Sequence, residues 1–461
     1  MATLDSSIVN IGLPSLTQSL GADVKRIKWV VVVYLICITS LLLPFGRLSD
    51  TYGRKRTFQI GFGLFSFASL LCGLSDSLAT LILSRLLQGA GAAMLMANGP
   101  AVITSCFPPG ERGKALGILS MIVSAGLISG PGIGGLLISH FGWQSIFWVN
   151  VPIGIAGIVL AQKHIIRDSL AHVRLPFDWA GALLQMILLL LFMALVDPPS
   201  ISLSGSEAFP IPRLLLVGGL VLFAVFFAQI ESEARAPLFD FSLLKNRMFI
   251  TGNGASFLTF CAYSAVTVMM PFYLETILSH SARESGLFMS VIPLLIFVVA
   301  PMAGRFSDRY GVVGPALLGG FCGFLSLFWM AGGLGGGLLE ATADQTVYFV
   351  LAGVGLAIGF FQSPNNSSVM SSVPSSKLGV ASALMATFRN LGLVTGTGVA
   401  TSVFQWRFNL SGDFIDGLHW VLGLASAMAF GALLITLTRL IKGNVSAPLS
   451  ESAPRGNEVR K

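Results

Sequence analysis

Three polar side chains stand where an otherwise apolar sequence has little reason to keep them: Asp5, Arg85 and Gln88. Asp5 falls in Leu4-Asp5-Ser6-Ser7-Ile8-Val9-Asn10, near the start of a stretch that reads as an apolar helix. A low-dielectric cavity makes a carboxylate hold a proton more readily, which suits a group that must take one up and release it. An Asp capping the helix, or sharing a polar network with Asn10, fits the same residues. Arg85 lies seven residues inside another apolar stretch and is followed by Gln88, Gly89 and Gly91. An arginine held in such a setting is costly and marks function by default, the alternative being a side chain that snorkels to the interface. The chemistry these residues offer is proton binding and charge pairing. Nothing in the sequence pairs a nucleophile with a base, which speaks against an enzyme. The five cysteines (Cys37, Cys72, Cys106, Cys261, Cys322) all lie in or beside apolar runs. They read as small buried residues rather than a disulfide framework or metal site, and no cofactor is expected.

The elements that must hold these groups are membrane helices. Of 461 residues 54% are hydrophobic and 11% charged, against about 25% charged in soluble domains. A bilayer core of about 30 Å takes roughly 20 apolar residues as a helix, and stretches of that kind recur from 1–21 and 29–48 through 379–405 and 418–440. About fourteen are expected by that length. Counted from a cytoplasmic start, the alternate loops and tail that face inward carry 20 of the 28 basic residues, and the outer loops six. Arg85 and Arg389 complete the set within spans. That bias puts both termini in the cytoplasm and accounts for the net charge of +7 without nucleic acid. Lys25, Arg26 and Lys28 run against it.

The chain also repeats. Gly46-Arg47-Leu48-Ser49-Asp50-Thr51-Tyr52-Gly53 returns 258 residues later as Gly304-Arg305-Phe306-Ser307-Asp308-Arg309-Tyr310-Gly311. Gly89, Gly91 and Pro100 return at 264 as Gly353, Gly355 and Pro364, and Gly113, Gly126 and Gly130 at 266 as Gly379, Gly392 and Gly396. Two related six-helix halves are therefore expected, 1–165 and 246–442. Between them lie two inserted helices within 166–245, near 179–196 and 213–230, and a disordered tail is expected at 443–461. Parallel repeats of this sort build transporters, with the solute site between the halves near the midplane. The segment Gly46–Arg56 is expected in an inner loop, where Gly46 and Gly53 allow a tight turn and Asp50 has Arg47, Arg54, Lys55 and Arg56 as charge partners. In Gly126–Gly135, Gly126, Gly130, Gly134 and Gly135 admit close packing, and Pro131 frees a carbonyl and can bend the helix. The second copy has Thr397 in place of Pro131, and Phe349 in place of Arg85, so both are peculiar to the first half. Gly130–Gly135 fits GxGxxG without the strand that a nucleotide site requires. Asn10, Asn365 and Arg389 are candidates for a substrate cavity, Arg389 as partner to a carboxylate or an anionic solute.

Together these residues resemble the major facilitator superfamily, in particular its fourteen-helix drug:proton antiporter group of EmrB/QacA type. Leu4–Pro14 resembles that group's LDxTIVNxALP signature, Gly46–Arg56 its GxLxDxxGRK motif, Arg85–Gly91 its RxxQGxG motif, and Gly126–Gly135 its gxxxGPxxGG motif. Trp143–Gly154 resembles the WRWIFxINVPIG stretch, with Gln144 replacing an arginine. The resemblance implies an all-α integral membrane protein of the bacterial inner membrane, with two six-helix bundles and two inserted helices. It also implies that Asp5, Arg85 and Gln88 serve proton coupling. Only four residues precede Asp5, so either the start lies about 10–15 residues upstream or the first helix begins at the membrane surface with Asp5 interfacial.

The expected function is secondary export of a drug-like amphipathic compound driven by protons, with uptake of a specific metabolite by symport or facilitation as the alternative. A sensor or membrane-bound enzyme is a distant third. The partners this implies are a small-molecule substrate, protons, the lipid bilayer and, for an exporter, a periplasmic adaptor protein.

Overall fold

The computed structural model describes residues 1–21, 27, 29–165, 178–196, 229, 242–280, 282–332 and 343–441. Every regular element among them is helical. The long helices are α1 (Ala2–Ser19), α2 (Trp29–Tyr52), α3 (Arg54–Gly73), α4 (Leu78–Cys106) and α5 (Arg112–Phe141). The short α6 (Ser145–Trp148) leads into α7 (Asn150–His164), then α8 (Trp179–Val196) and the short α9 (Ser242–Lys245). After them come α10 (Arg247–Phe272), α11 (Ala282–Met289), α12 (Val291–Tyr310), α13 (Val313–Met330), α14 (Ala343–Ser371), α15 (Leu378–Ser411) and α16 (Phe414–Ile441). Ten helical segments among the described residues are long and apolar enough to cross a membrane. The expected inserted helix near 179–196 is α8; its companion near 213–230 and the tail 443–461 lie outside the described residues.

Helix ends follow local chemistry. Ser77 caps α4 by accepting the Thr80 N–H, while the Thr80 hydroxyl takes the Ser77 N–H in return. Asn246 Oδ1 caps α10 by accepting the Met248 and Phe249 N–H groups at 3.0 and 3.2 Å.

Two expectations change here. The Gly46–Arg56 segment is not a loop: α2 runs on through Tyr52, α3 starts at Arg54, and Gly53 alone turns the chain. Its φ of 99° is open to glycine and strained for other residues. The repeat does the same, with Gly311 at φ 90° between α12 and α13. The apolar stretch ends earlier than the helix because the last turn's polar groups are held by other helices. Arg439, counted above among the 20 basic residues of the inward-facing loops and tail, is instead a residue of α16 and only 6% exposed.

Helices up to α7 pack largely on one another (α2 and α3 on α4, α1 on α5, α3 on α7), and so do those from α10 on (α10 on α15 and α16, α12 and α13 on α14). Among the described residues, the pairings that join the two groups include α2 with α15, α5 with α12, α4 with α15, α5 with α14 and, more lightly, α4 with α14. The helix α8 lies against α2 and α15, one from each group. Small residues make these seams tight. A Cβ on Gly46 would strike Ala383 and the Gly379 carbonyl, and one on Gly304 the backbone of Gly113.

Candidate functional site

Five helices converge on Asp5. It sits one turn into α1, and the Arg85 and Gln88 side chains reach it from α4, whose cap at Ser77 leaves Arg85 about 12 Å along the axis. Arg85 Nη1 donates to Asp5 Oδ2 at 2.6 Å and to Gln88 Oε1 at 2.5 Å. Gln88 Nε2 donates to Asp5 Oδ1 at 2.9 Å and to Ser69 Oγ of α3 at 2.8 Å. Asn150, the first residue of α7, donates Nδ2 to the same Asp5 Oδ1 at 2.8 Å. From α2, the Val30 carbonyl accepts Arg85 Nε at 3.0 Å and the Tyr34 ring lies 3.9 Å beneath the guanidinium.

Asp5, Arg85, Gln88 and Ser69 have no exposed surface, and Asn150 has 1%. The ion pair is therefore taken fully out of solvent, a situation tolerated only where hydrogen bonds satisfy both partners. The carboxylate is well supplied, with three side-chain donors. The guanidinium is not, because its Nη2 has no partner, and neither does Asn150 Oδ1. Arg85 does not snorkel to a surface: it is fully enclosed in protein and paired with Asp5. Asn10 lies on α1, but its side chain is outside the described part.

The motif repeated at Asp50 and Asp308 forms two grips at one end of the bundle. Asp50 Oδ1 and Oδ2 accept the Gly379 and Val380 N–H groups at 2.8 and 2.9 Å, at the N-terminus of α15. Asp308 does the same to α5, accepting the Gly113 and Lys114 N–H groups at 2.8 and 2.7 Å. Each carboxylate fills orphan donors of a helix in the opposite group and faces the positive end of its dipole. The copies differ beyond this. Arg54 Nη2 meets Asp50 at 3.2 Å and donates to the Ser375 carbonyl at 2.5 Å, while four residues after Asp308 stands Val312. Lys55 Nζ instead donates to the Gln162 carbonyl at 2.7 Å, Arg56 is exposed, and Arg47 is half-buried.

The glycine helix α5 lies on α1 through a stripe at every fourth residue. Gly126 meets Thr3 and Leu4, Gly130 meets Ser7, and Gly134 meets Ile8, while Gly135 faces open space. Ser7 Oγ donates across that seam to the Leu127 carbonyl at 3.1 Å. The Pro131 side chain is outside the described part. Asn365 lies away from Asp5: its Oδ1 accepts Arg439 Nη2 at 2.9 Å, and its Nδ2 donates to the Gly252 carbonyl at 3.1 Å. Arg389 is half-buried on α15 beside Asn390, whose Nδ2 donates to Thr39 Oγ1 of α2 at 3.2 Å.

Sequence reasoning singled out Asp5, Arg85 and Gln88 but missed Ser69, Tyr34 and Asn150 as their neighbours. Asn150 stands in the Trp143–Gly154 motif and could have been found there as a polar residue in an apolar run. Ser69 and Tyr34 carry no such signal, since hydroxyl groups recur throughout these helices.

Residues 1–397 match the family model described as Major Facilitator Superfamily. The chain is 35% identical over 450 residues to the riboflavin transporter RibZ of Clostridioides difficile (strain 630), covering 95% of this chain and 94% of that protein. It is 31% identical over 408 residues to the tetracenomycin C resistance and export protein of Streptomyces glaucescens, covering 87% of this chain and 72% of that protein. Among solved structures, a bacterial homologue of the iron transporter ferroportin in an outward-facing state superposes with a TM-score of 0.64 at 14% identity, over 95% of this chain and 96% of that one. The proton:xylose symporter XylE superposes with a TM-score of 0.58 at 15% identity, over 95% and 92%. The chain belongs to the Major Facilitator Superfamily, and it is a multi-pass membrane transporter of small molecules.

Proposed function

We propose that the chain is a proton-coupled antiporter that exports drug-like or other amphipathic small molecules across a bacterial cytoplasmic membrane by alternating access. In this reading it has fourteen spans in two six-helix halves plus an inserted pair, with the Asp50 end and both termini in the cytoplasm. The observation that carries it is Asp5: a buried carboxylate whose partners are all neutral donors except Arg85. Protonation of Asp5 removes the counter-charge of Arg85 and turns one of its two accepting oxygens into a donor. The guanidinium must then find another partner, so a proton arriving at Asp5 changes how α1, α4 and α7 hold together. The two aspartate grips tie α2 to α15 and α12 to α5 at the Asp50 end, which fits a carrier closed to the cytoplasm and ready to take a proton from outside. Resistance and export proteins among the relatives, such as that of Streptomyces glaucescens, support the outward direction.

A second reading, uptake of a defined metabolite, is favoured by the relative named a riboflavin transporter. Reconstituted vesicles with an imposed pH gradient separate the two. Export predicts solute movement against the proton flow, and flux indifferent to the gradient would sink proton coupling altogether.

A further inference from the structure

A third of the way along α15 stands a cation that has no counter-charge among the described residues. Arg389 lies eleven residues beyond Leu378, the first of that helix, which places it about 16 Å along the axis and close to the midplane of a bilayer core. Among the described residues its side chain has no hydrogen bond, ion pair or ring contact, and part of its surface remains accessible. The other arginines within these helices are engaged where the structure buries them: Arg85 by Asp5, Arg54 by Asp50 and Arg439 by Asn365. A free guanidinium at this depth is costly to keep.

Its direction follows from the helix period. Gly379 and Asn390 turn toward α2, where they meet Asp50 and Thr39. Gly392 and Gly396 turn toward α10, where a Cβ would strike the carbonyls of Phe257 and Cys261. At about 100° per residue Arg389 lies on the arc between those two faces. It thus points into the seam between the two helix groups. On α10, Asn253 lies one turn before Phe257 on the same face, so it comes level with Arg389. Asn253 is 2% exposed, and its Oδ1 has no partner. A free donor fork and an orphan acceptor therefore occupy one depth of one seam.

We propose that Arg389 is the counter-charge for the transported compound, and that this compound is an organic anion. Its acid group docks on the guanidinium, which suits a carboxylate or phosphate in bidentate fashion. Asn253 Oδ1 accepts from a hydroxyl or N–H group next to the acid. The assignment rests on the transport reading of this seam, but not on the direction of transport or on its coupling.

The test uses the full chain and matched probes. In detergent, salicylate and 2-naphthoate should raise the melting temperature of the wild type at concentrations where salicylamide and 2-naphthamide do not. Arg389→Gln should weaken acid binding at least tenfold, and Arg389→Lys should retain part of it. Equal binding of acids and amides, no acid binding by the wild type, or full acid binding by Arg389→Gln would each overturn the assignment. If Arg389→Gln does not fold, the acid–amide contrast in the wild type and Arg389→Lys decides. In vesicles with a pH gradient, movement of rhodamine 123 but not carboxyfluorescein overturns the assignment and leaves proton-driven export standing. Carboxyfluorescein movement that ignores the gradient supports the assignment and removes the coupling.

Discussion

Asp50 and Gly379 are bound at 2.8 Å across the two helix groups, and eleven residues further along each helix Thr39 and Asn390 are bound at 3.2 Å. The antiparallel helices α2 and α15 thus keep one register over eleven residues from the Asp50 end. The seam is held at the end by a charge on a helix dipole and at the middle by a neutral side-chain pair. Under the proposed alternating access, opening the Asp50 end would break the charged contact and leave the neutral one as the pivot.

The two grips are unequal, so they should fail unequally. Asp50 is nearly inaccessible and has Arg54 at its side, whereas Asp308 is more exposed and relies on two backbone donors. Hydrogen bonds to charged groups contribute about 1.5–3 kcal/mol. Asp50→Asn should therefore favour opening at this end by roughly tenfold or more, and Asp308→Asn by less. The rate at which a thiol reagent reaches a cysteine introduced by Ser382→Cys, in a background without the native cysteines, measures this. Equal rates in both variants would contradict the asymmetry.

Asp5 and Arg85 should be separable by a double substitution. Asp5→Asn leaves a buried guanidinium uncompensated, a loss of about 3–5 kcal/mol where such pairs are broken. The single variant should melt lower than the wild type, and adding Arg85→Gln should restore much of the loss. Neither should support gradient-driven flux. Under the antiport reading, the stable double variant should still exchange labelled for unlabelled solute without a gradient. If it drives uphill transport, the proton is bound elsewhere.

How much of this was legible depends on which residues carry their own signal. Asp5, Arg85 and Gln88 announced themselves because polar groups are costly in apolar helices, and the structure brings all three together. The aspartate motifs were visible as a repeat, yet the sequence could not tell that each reaches across to the opposite group. Nor did it reveal that Gly53 is the whole turn, since the helical run of Gly46–Tyr52 is stabilised by contacts with α15 more than 300 residues away. Arg439 was misread as a loop residue because its partner Asn365 is distant in the chain and neutral. Ser69 and Tyr34 were hidden for a simpler reason: hydroxyl side chains within these helices mostly bond their own backbone four residues back, as Ser69 itself does with Phe65 at 2.7 Å.

Asn150 offers a test of positioning that leaves the charges intact. Its Nδ2 is one of two neutral side-chain donors to Asp5 Oδ1, and its helix α7 reaches no other part of the pair. Asn150→Ala removes one hydrogen bond to the carboxylate, a contact worth about 1.5–3 kcal/mol, and leaves Asp5 with Arg85 and Gln88 as its side-chain donors. Gradient-driven flux per molecule should fall by roughly tenfold or more, the equivalent of about 1.4 kcal/mol, while gradient-independent exchange and solute affinity stay the same. A purely structural Asn150 would lower stability and leave gradient-driven flux per molecule unchanged.

The glycine stripe of α5 supplies a paired experiment. At Gly130 an added Cβ runs into the Ser7 side chain of α1, whereas at Gly135 it meets nothing within 4 Å. Gly130→Ala should cost about 1–3 kcal/mol through overpacking, and Gly135→Ala should be neutral or stabilising by roughly 0.5–1 kcal/mol through helix entropy. Because α1 carries Asp5 two residues before Ser7, pushing α1 off α5 also displaces the carboxylate from Arg85 and Gln88. Gly130→Ala should therefore reduce gradient-driven flux well beyond its loss of protein in the membrane, and Gly135→Ala should transport like the wild type. Flux per molecule that is unchanged in Gly130→Ala would mean the stripe sets helix packing alone and does not position Asp5 for transport.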